Sequence, residues 1–178
     1  MDILLVAQII CFSFSSDSFY LSEYRKKTVC QNSKTLAIES NKHKIDPYLF
    51  ASLIYVESAW KKTVVSSANA CGLTQVIPKY TGKITKRYTC KQLMNPVTSI
   101  RAGTKILRWW IDWHTNNQPK RKYTEEEILN RALCSYNAGF RCGPHRRPIR
   151  GGMRYARKVL KVKRDILIKK EHFLSQKN

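Results

Sequence analysis

The sequence predicts a mostly α-helical, single-domain protein. Helix-start signals punctuate the chain at Asp46-Pro47, at Pro96 and at Thr124-Glu-Glu-Glu127, and the segments that follow carry apolar residues at helical spacing. No long run alternates apolar and polar residues as a half-buried strand does. A length of 178 residues fits one domain able to bury a core, and a hydrophobic share of 43% excludes a disordered basic tail.

Residues Ile3 to Phe14 form an apolar run of twelve, too short to span a bilayer. With small Ser13 and Ser15 beyond its centre, it reads as a secretory signal or anchor over 1–16. Asp2 stands where such a signal has basic residues, so a first amphipathic helix or an uncleaved tail is the competing reading. Residues 17–33 read as a polar, poorly packed lead-in, followed by a helix over 34–42. Asp46 caps the next helix and Pro47 occupies its first position. That helix runs to Ser58, with Leu49, Leu53 and Val56 on its inner face and Glu57 close to the same face. Residues 61–77 lack helical periodicity and read as an extended loop or a short strand pair. Pro78 opens a short helix to Arg87. Pro96 opens a longer one, with Ile100, Gly103, Ile106, Leu107 and Trp110 on one side. After a polar connection over 115–123, the capping box at Thr124 starts a helix that ends near Tyr136 and is stopped by Asn137-Ala138-Gly139. A basic, Pro- and Gly-rich loop covers 140–152, and a last helix begins near Met153 and carries a cationic tail over 167–178.

The formal charge is +21, from 33 Lys and Arg against 12 Asp and Glu, and this predicts a polyanionic partner. Much of the charge lies in Lys83–Arg87, Lys120–Lys122 and Arg141–Lys170. Such runs suit phosphates, which makes nucleic acid the rival partner, but no nucleic-acid-binding motif accompanies them. Cysteines stand at 11, 30, 71, 90, 134 and 142, without the spacing of a zinc site, and no metal is expected. Cys134 with Cys142, and Cys71 with Cys90, are candidate disulfides; buried free thiols are the other reading.

Glu57 is the candidate for chemistry. A carboxyl at the end of an apolar helix face is placed where low dielectric disfavours its charged form, and its pKa should rise toward neutrality. A second carboxyl to work as its pair is not evident. Asp46 is a helix cap and Asp112 lies on a Trp-rich helix, so neither is a compelling partner. Trp60, Trp109, Trp110 and Trp113 suit either stacking on a ligand or core packing.

Four motifs then occur in order. Glu57-Ser58-Ala59-Trp60 is followed by Ser66-Ser67-Ala68-Asn69-Ala70-Cys71-Gly72-Leu73-Thr74-Gln75, ending at Pro78. Asn95-Pro96 comes next, with Ile100 and Gly103. Ala132-Leu133-Cys134-Ser135-Tyr136-Asn137-Ala138-Gly139 is the third, and Tyr155 with Val159-Leu160 closes the set. Together they resemble the lytic transglycosylases of the soluble-lytic (SLT) type, over a catalytic domain spanning 34–166. The resemblance implies a lysozyme-like helical fold with a groove for peptidoglycan glycan strands, and no cofactor. It implies cleavage of the β-1,4 bond between N-acetylmuramic acid and N-acetylglucosamine, with Glu57 as acid and then base and a 1,6-anhydro sugar as product. A one-carboxylate hydrolase that activates water is the alternative.

By the same resemblance, Tyr136 would hydrogen-bond and orient Glu57, Asn137 would cap the turn and contact sugar, and Ser66 and Gln75 would hold N-acetyl or muramoyl groups. Tyr155 would close the groove near the acid, and Gly72 would let the main chain approach a sugar ring. Ser58, Ala138 and Gly139 are structural neighbours of the site. The setting implied is the periplasm, cell envelope or secretion, or a phage particle or lysis protein. Anionic membrane, wall polymer, or a secretion, pilus or phage assembly are further partners. Three positions depart from the pattern: Asn69 for Gly, Thr74 for Met and Ser99 for Asn. Asn tolerates the left-handed conformation that the turn at 69 requires.

Overall fold

The computed structural model describes residues 2–176, and it is mostly helical. In chain order the helices are α1 (Ile3–Ser15), α2 (Glu23–Lys42), α3 (Pro47–Ser58), α4 (Pro78–Thr81), α5 (Cys90–Leu93), α6 (Pro96–Asn116), α7 (Glu125–Ala138) and α8 (Arg150–Ser175). Short 3-10 turns cover Asp17–Phe19 and Gly139–Cys142.

Helix α3 is the hub. Every residue from Pro47 to Ile54 is buried, as expected of a helix that is apolar all round. It packs on α8, α2 and α1. Its start is as expected: Asp46 Oδ1 accepts from the Tyr48 and Leu49 amides at 2.9 and 3.3 Å. Lys163 of α8 adds an ion pair to Asp46 Oδ2 at 2.6 Å. The capping box of α7 is also formed. Glu127 Oε2 accepts from the Thr124 amide at 2.9 Å, and Thr124 Oγ1 accepts from the Glu127 amide at 3.2 Å. Helices α6 and α7 are pinned by His114 Nε2 against Ser135 Oγ at 2.9 Å, and burial pushes the His114 pKa down to about 4.

Several boundaries differ from expectation. The run expected as a signal or anchor is here helix α1, with Val6, Ile9, Ile10 and Phe14 buried against α2 and α8 and a Cys11–Cys30 disulfide to α2. Phe14 lies against Phe19, Tyr55 and Trp60, with ring centroids 4.6, 5.5 and 5.7 Å away. Among the described residues no helix is long and apolar enough to cross a membrane.

The 17–33 segment is not a loose lead-in, because α2 begins at Glu23 rather than at 34. Its buried positions include Thr28, Asn32 and Ser33, whose side chains bond back to the carbonyls of Tyr24, Thr28 and Cys30. Buried polar residues that satisfy themselves locally hide the helical period. Glu39, also buried, pairs with Arg101 of α6 at 2.9 Å.

The single helix expected over 78–87 stops at Thr81. Buried Thr81 Oγ1 donates to the Pro78 carbonyl and accepts from the Tyr88 amide, folding the chain back toward α5. The last helix starts three residues before Met153. It continues through the expected tail to Ser175, with Ile166 still buried; residues 177 and 178 of that tail lie outside the described residues. The 61–77 loop is extended as expected, with bridges from Cys71 to Val65 and to Val76. Both candidate disulfides, Cys71–Cys90 and Cys134–Cys142, are formed.

Candidate active site

Glu57 occupies the last turn of α3, immediately before a sharp exit in which Ala59 and Trp60 both take left-handed backbone conformations. Ser58 donates to the Ile54 carbonyl at 3.1 Å and serves that helix end. The exit buries Trp60 completely beneath Phe14. Glu57 itself is half-buried, so a ligand can reach it. Enough protein nonetheless surrounds its carboxyl to raise the pKa from 4.5 to about 7, chiefly by desolvation and against the opposing pull of a hydrogen bond from Tyr155.

Tyr155 lies on the buried face of α8, in the row Tyr155, Ala156, Val159, Val162 and Ile166. Its hydroxyl donates to Glu57 Oε1 at 2.7 Å. Burial and the nearby Glu57 charge both hold its own pKa well up. The role expected of Tyr136, a bond to the acid, therefore belongs to Tyr155. Tyr136 of α7 instead donates to the main-chain carbonyl of Thr74 at 2.8 Å. It stays within electrostatic reach, since burial and then the Glu57 charge push its pKa up.

The loop facing these groups is knotted by its own polar side chains. Ser66 Oγ accepts from the Ala70 amide at 3.1 Å, and the main chain of 66–70 closes a turn with Asn69 at φ 59°. The left-handed turn expected at Asn69 is thus present. Gln75, itself at φ 48°, donates its amide hydrogens to the carbonyls of Val64 and Gly72 at 3.2 and 2.9 Å. What Gln75 has left to offer a ligand is its Oε1 acceptor. Gly72 lies tightly against α5: at φ 75°, a Cβ there would lie 1.9 Å from the Leu93 carbonyl oxygen.

Asn137 is exposed at the end of α7, Ala138 is buried and Gly139 ends the helix at φ 63°. Thr74 and Ser99, the other two departures from the motif pattern, are in direct contact: their hydroxyl oxygens are 2.9 Å apart. Sequence spacing of 25 residues offered no signal for that pairing.

The carboxylates weighed as a second acid are engaged elsewhere. Asp46 caps α3, and exposed Asp112 pairs with Arg108 one turn away on α6 at 2.6 Å. Of the tryptophans, Trp60 and Trp110 are core, whereas Trp109 and Trp113 are half-buried, their rings parallel within 5° and edged by Phe140. The exposed side of α8 carries Arg150, Arg154, Arg157, Lys158 and Arg164, opposite the face that holds Tyr155.

Chemically, the arrangement is a carboxyl that can hold or release a proton near neutrality, with one phenol ready to stabilise its charged form.

The model of the transglycosylase SLT domain family matches residues 34–158. Over 98 residues the chain is 31% identical to the membrane-bound lytic murein transglycosylase E of Buchnera aphidicola, covering 51% of this chain and 44% of that protein. The fold is similar to an inactive mutant of lytic transglycosylase Slt from Pseudomonas aeruginosa, with a TM-score of 0.61 and 20% identity, covering 84% of this chain and 26% of that one. It is also similar to the 70 kDa soluble lytic transglycosylase Slt70 of Escherichia coli, with a TM-score of 0.60 and 18% identity, covering 90% and 29%. This chain therefore spans less than half the length of each of these proteins.

Proposed function

Because the chain belongs to the transglycosylase SLT domain family, we propose that it is a lytic transglycosylase of peptidoglycan, with Glu57 as its acid and base. The observation that carries this reading is the Glu57 carboxyl, raised to about 7 and bonded to Tyr155. At neutral pH such a group is populated in both protonation states, and the reaction needs both.

In the first step, protonated Glu57 gives its proton to the glycosidic oxygen between N-acetylmuramic acid and N-acetylglucosamine. The bond from that oxygen to the muramoyl anomeric carbon breaks, and the leaving sugar departs with a hydroxyl. Positive charge develops on the anomeric carbon while Glu57 becomes a carboxylate, which the Tyr155 hydroxyl stabilises. In the second step, Glu57 takes the proton from the muramoyl 6-hydroxyl as that oxygen bonds to the anomeric carbon. The product is the 1,6-anhydro sugar, Glu57 is protonated again, and no water is consumed. A single carboxyl suffices, which agrees with the engagement of Asp46 and Asp112 elsewhere.

Digestion of purified peptidoglycan followed by mass spectrometry tests the reading. Anhydro-muropeptides are expected. Muropeptides with reducing ends would make the enzyme a hydrolase, and no release of fragments would overturn the proposal.

A further inference from the structure

An aromatic cluster on the C-terminal half of α6 is only partly covered. Trp110 is buried there, but Trp109 and Trp113 are half-buried and Phe140 is 61% exposed. Phe140 stands nearly perpendicular to both half-buried indoles, with ring centroids 6.1 and 5.2 Å away. The loop that presents it is fixed from several sides. The Cys134–Cys142 disulfide ties its start to α7. Arg131 Nη1 donates to the carbonyls of Gly143 and Arg146 at 3.1 and 3.2 Å, and the Tyr123 hydroxyl donates to the Pro144 carbonyl. A loop so held keeps the phenyl ring at the surface, and apolar burial within the chain gives no reason for that. The same loop carries exposed Arg141, Arg146 and Arg147. Arg146 rises beside an indole: a Cβ on Gly143 would lie 3.4 Å from Trp113 Cη2 and 4.0 Å from Arg146 Cδ. Among the described residues no carboxylate pairs with any of these three arginines. Asp112, between the two half-buried indoles in sequence, is taken by Arg108 at 2.6 Å.

We propose that Phe140, Trp109 and Trp113, rimmed by Arg141, Arg146 and Arg147, form a docking surface for an anionic lipid bilayer. Trp and Phe suit the boundary between acyl chains and headgroups, where a ring finds apolar contact on one side and water on the other. Arg lays its stem along the apolar surface and keeps its guanidinium at the level of the phosphates. Guanidinium groups without a carboxylate of their own are matched by phosphate oxygens, and each cation near an anionic surface adds to the attraction. A glycan strand fits less well. A pyranose stacks on an open ring face, whereas Trp110 and Phe140 stand at 74° to 90° against both Trp109 and Trp113. The cluster therefore offers a compact apolar tip and not a flat platform. Duplex nucleic acid would take the guanidinium groups but leave the exposed phenyl ring without a partner. The contact is interfacial: three rings and three cations meet the bilayer, and the rest of the fold stays outside it.

The test uses the intact protein and needs no turnover, so it stands apart from the proposed reaction. Vesicles of equimolar phosphatidylcholine and phosphatidylglycerol should carry the protein upward in a flotation gradient, and vesicles of phosphatidylcholine alone should carry far less. Phe140→Ala is expected to weaken partitioning about tenfold, the effect of withdrawing part of a phenyl ring from an apolar phase. Arg146→Gln with Arg147→Gln is expected to weaken it about 30-fold, because two surface cations are lost. Lys27→Gln with Lys34→Gln removes the same charge from exposed positions on α2 and should change partitioning little. An α2 pair that costs as much as the arginine pair overturns the proposal, since the attraction is then one of net charge. Vesicle binding that Phe140→Ala leaves intact overturns it too, as does no binding to the anionic vesicles. If Phe140→Ala weakens retention on purified peptidoglycan or duplex DNA and not on vesicles, the surface has another occupant and the proposal falls. Should Phe140→Ala fail to fold, the unaltered protein decides: lipids brominated along the acyl chain should quench its tryptophan emission, and an absence of quenching overturns the docking surface.

Discussion

Tyr155 reaches from α8 across a sequence separation of 98 residues to place its hydroxyl 2.7 Å from Glu57 Oε1. The bond joins the helix that ends in the acid to the helix that carries much of the positive charge. It favours the ionised carboxyl and so restrains the rise that burial imposes. Tyr155→Phe removes that restraint. The Glu57 midpoint should move up, carrying with it the limb of the pH–rate profile that requires the carboxylate. Loss of a hydrogen bond to a charged group, worth about 1.5–3 kcal/mol, should lower kcat/KM at neutral pH by about 10- to 100-fold. Steady-state rates across pH for both proteins measure the two effects together.

The raised pKa of Glu57 has a cost in stability with a defined sign. The folded protein holds the Glu57 proton up to about pH 7, whereas the unfolded chain releases it near 4.5. Between those values the folded state binds more protons, so stability falls as pH rises through this window. The difference corresponds to about 3 kcal/mol once both states are ionised. Glu57→Gln imitates the protonated acid. It should abolish cleavage, yet unfold at higher urea concentration than the parent at pH 8 while nearly matching it at pH 4.5. Urea titrations at the two pH values give the comparison.

Helices α3, α6 and α7 were legible because their starts carry Asp46-Pro47, Asn95-Pro96 and Thr124 with Glu127, and these side chains cap as their chemistry dictates. Glu57 was legible for a related reason, since the apolar run before it announces low dielectric. Helix α2 was cut short because Thr28, Asn32 and Ser33 are buried without being apolar. The partner of Tyr136 was misread because a main-chain carbonyl has no sequence signature; any residue at 74 supplies one. The Thr74–Ser99 contact joins positions whose neighbourhood exists only after α6 docks on the loop. Local signals mark where helices begin, and they are silent on which polar atoms meet across helices.

Phe14 tests how far α1 belongs to the folded unit. The residue is fully buried and packs on Phe19, Tyr55 and Trp60, the last of these three positions beyond Glu57. Phe14→Ala should destabilise the protein by about 3–5 kcal/mol through lost contact and a residual cavity. The free energy of unfolding from urea titration gives the figure; a loss below about 1 kcal/mol would mean that α1 is dispensable to the core.

Two glycines with positive φ separate backbone strain from collision. Gly72→Ala drives a methyl group into the Leu93 carbonyl, which cannot give way without moving α5 and its Cys71–Cys90 tether. Gly139→Ala meets nothing within 4 Å and bears only the conformational penalty of φ 63°. With ψ −147° at Gly139, a region essentially confined to glycine, the second should lower stability by about 1–3 kcal/mol, and the first should cost markedly more. Thermal melts of the pair rank them.

The disulfides join Cys11 to Cys30, Cys71 to Cys90 and Cys134 to Cys142, at separations of 19, 19 and 8 residues. Each bridge pairs a cysteine with the next one in the chain, and the three loops follow one another without overlap or nesting. A chain entering an oxidising compartment amino end first would meet each correct partner as soon as it arrived, before any later cysteine could compete. Native pairing then coincides with order of appearance, and the molecule can be sealed in sequence with little call on a disulfide isomerase to undo mistakes.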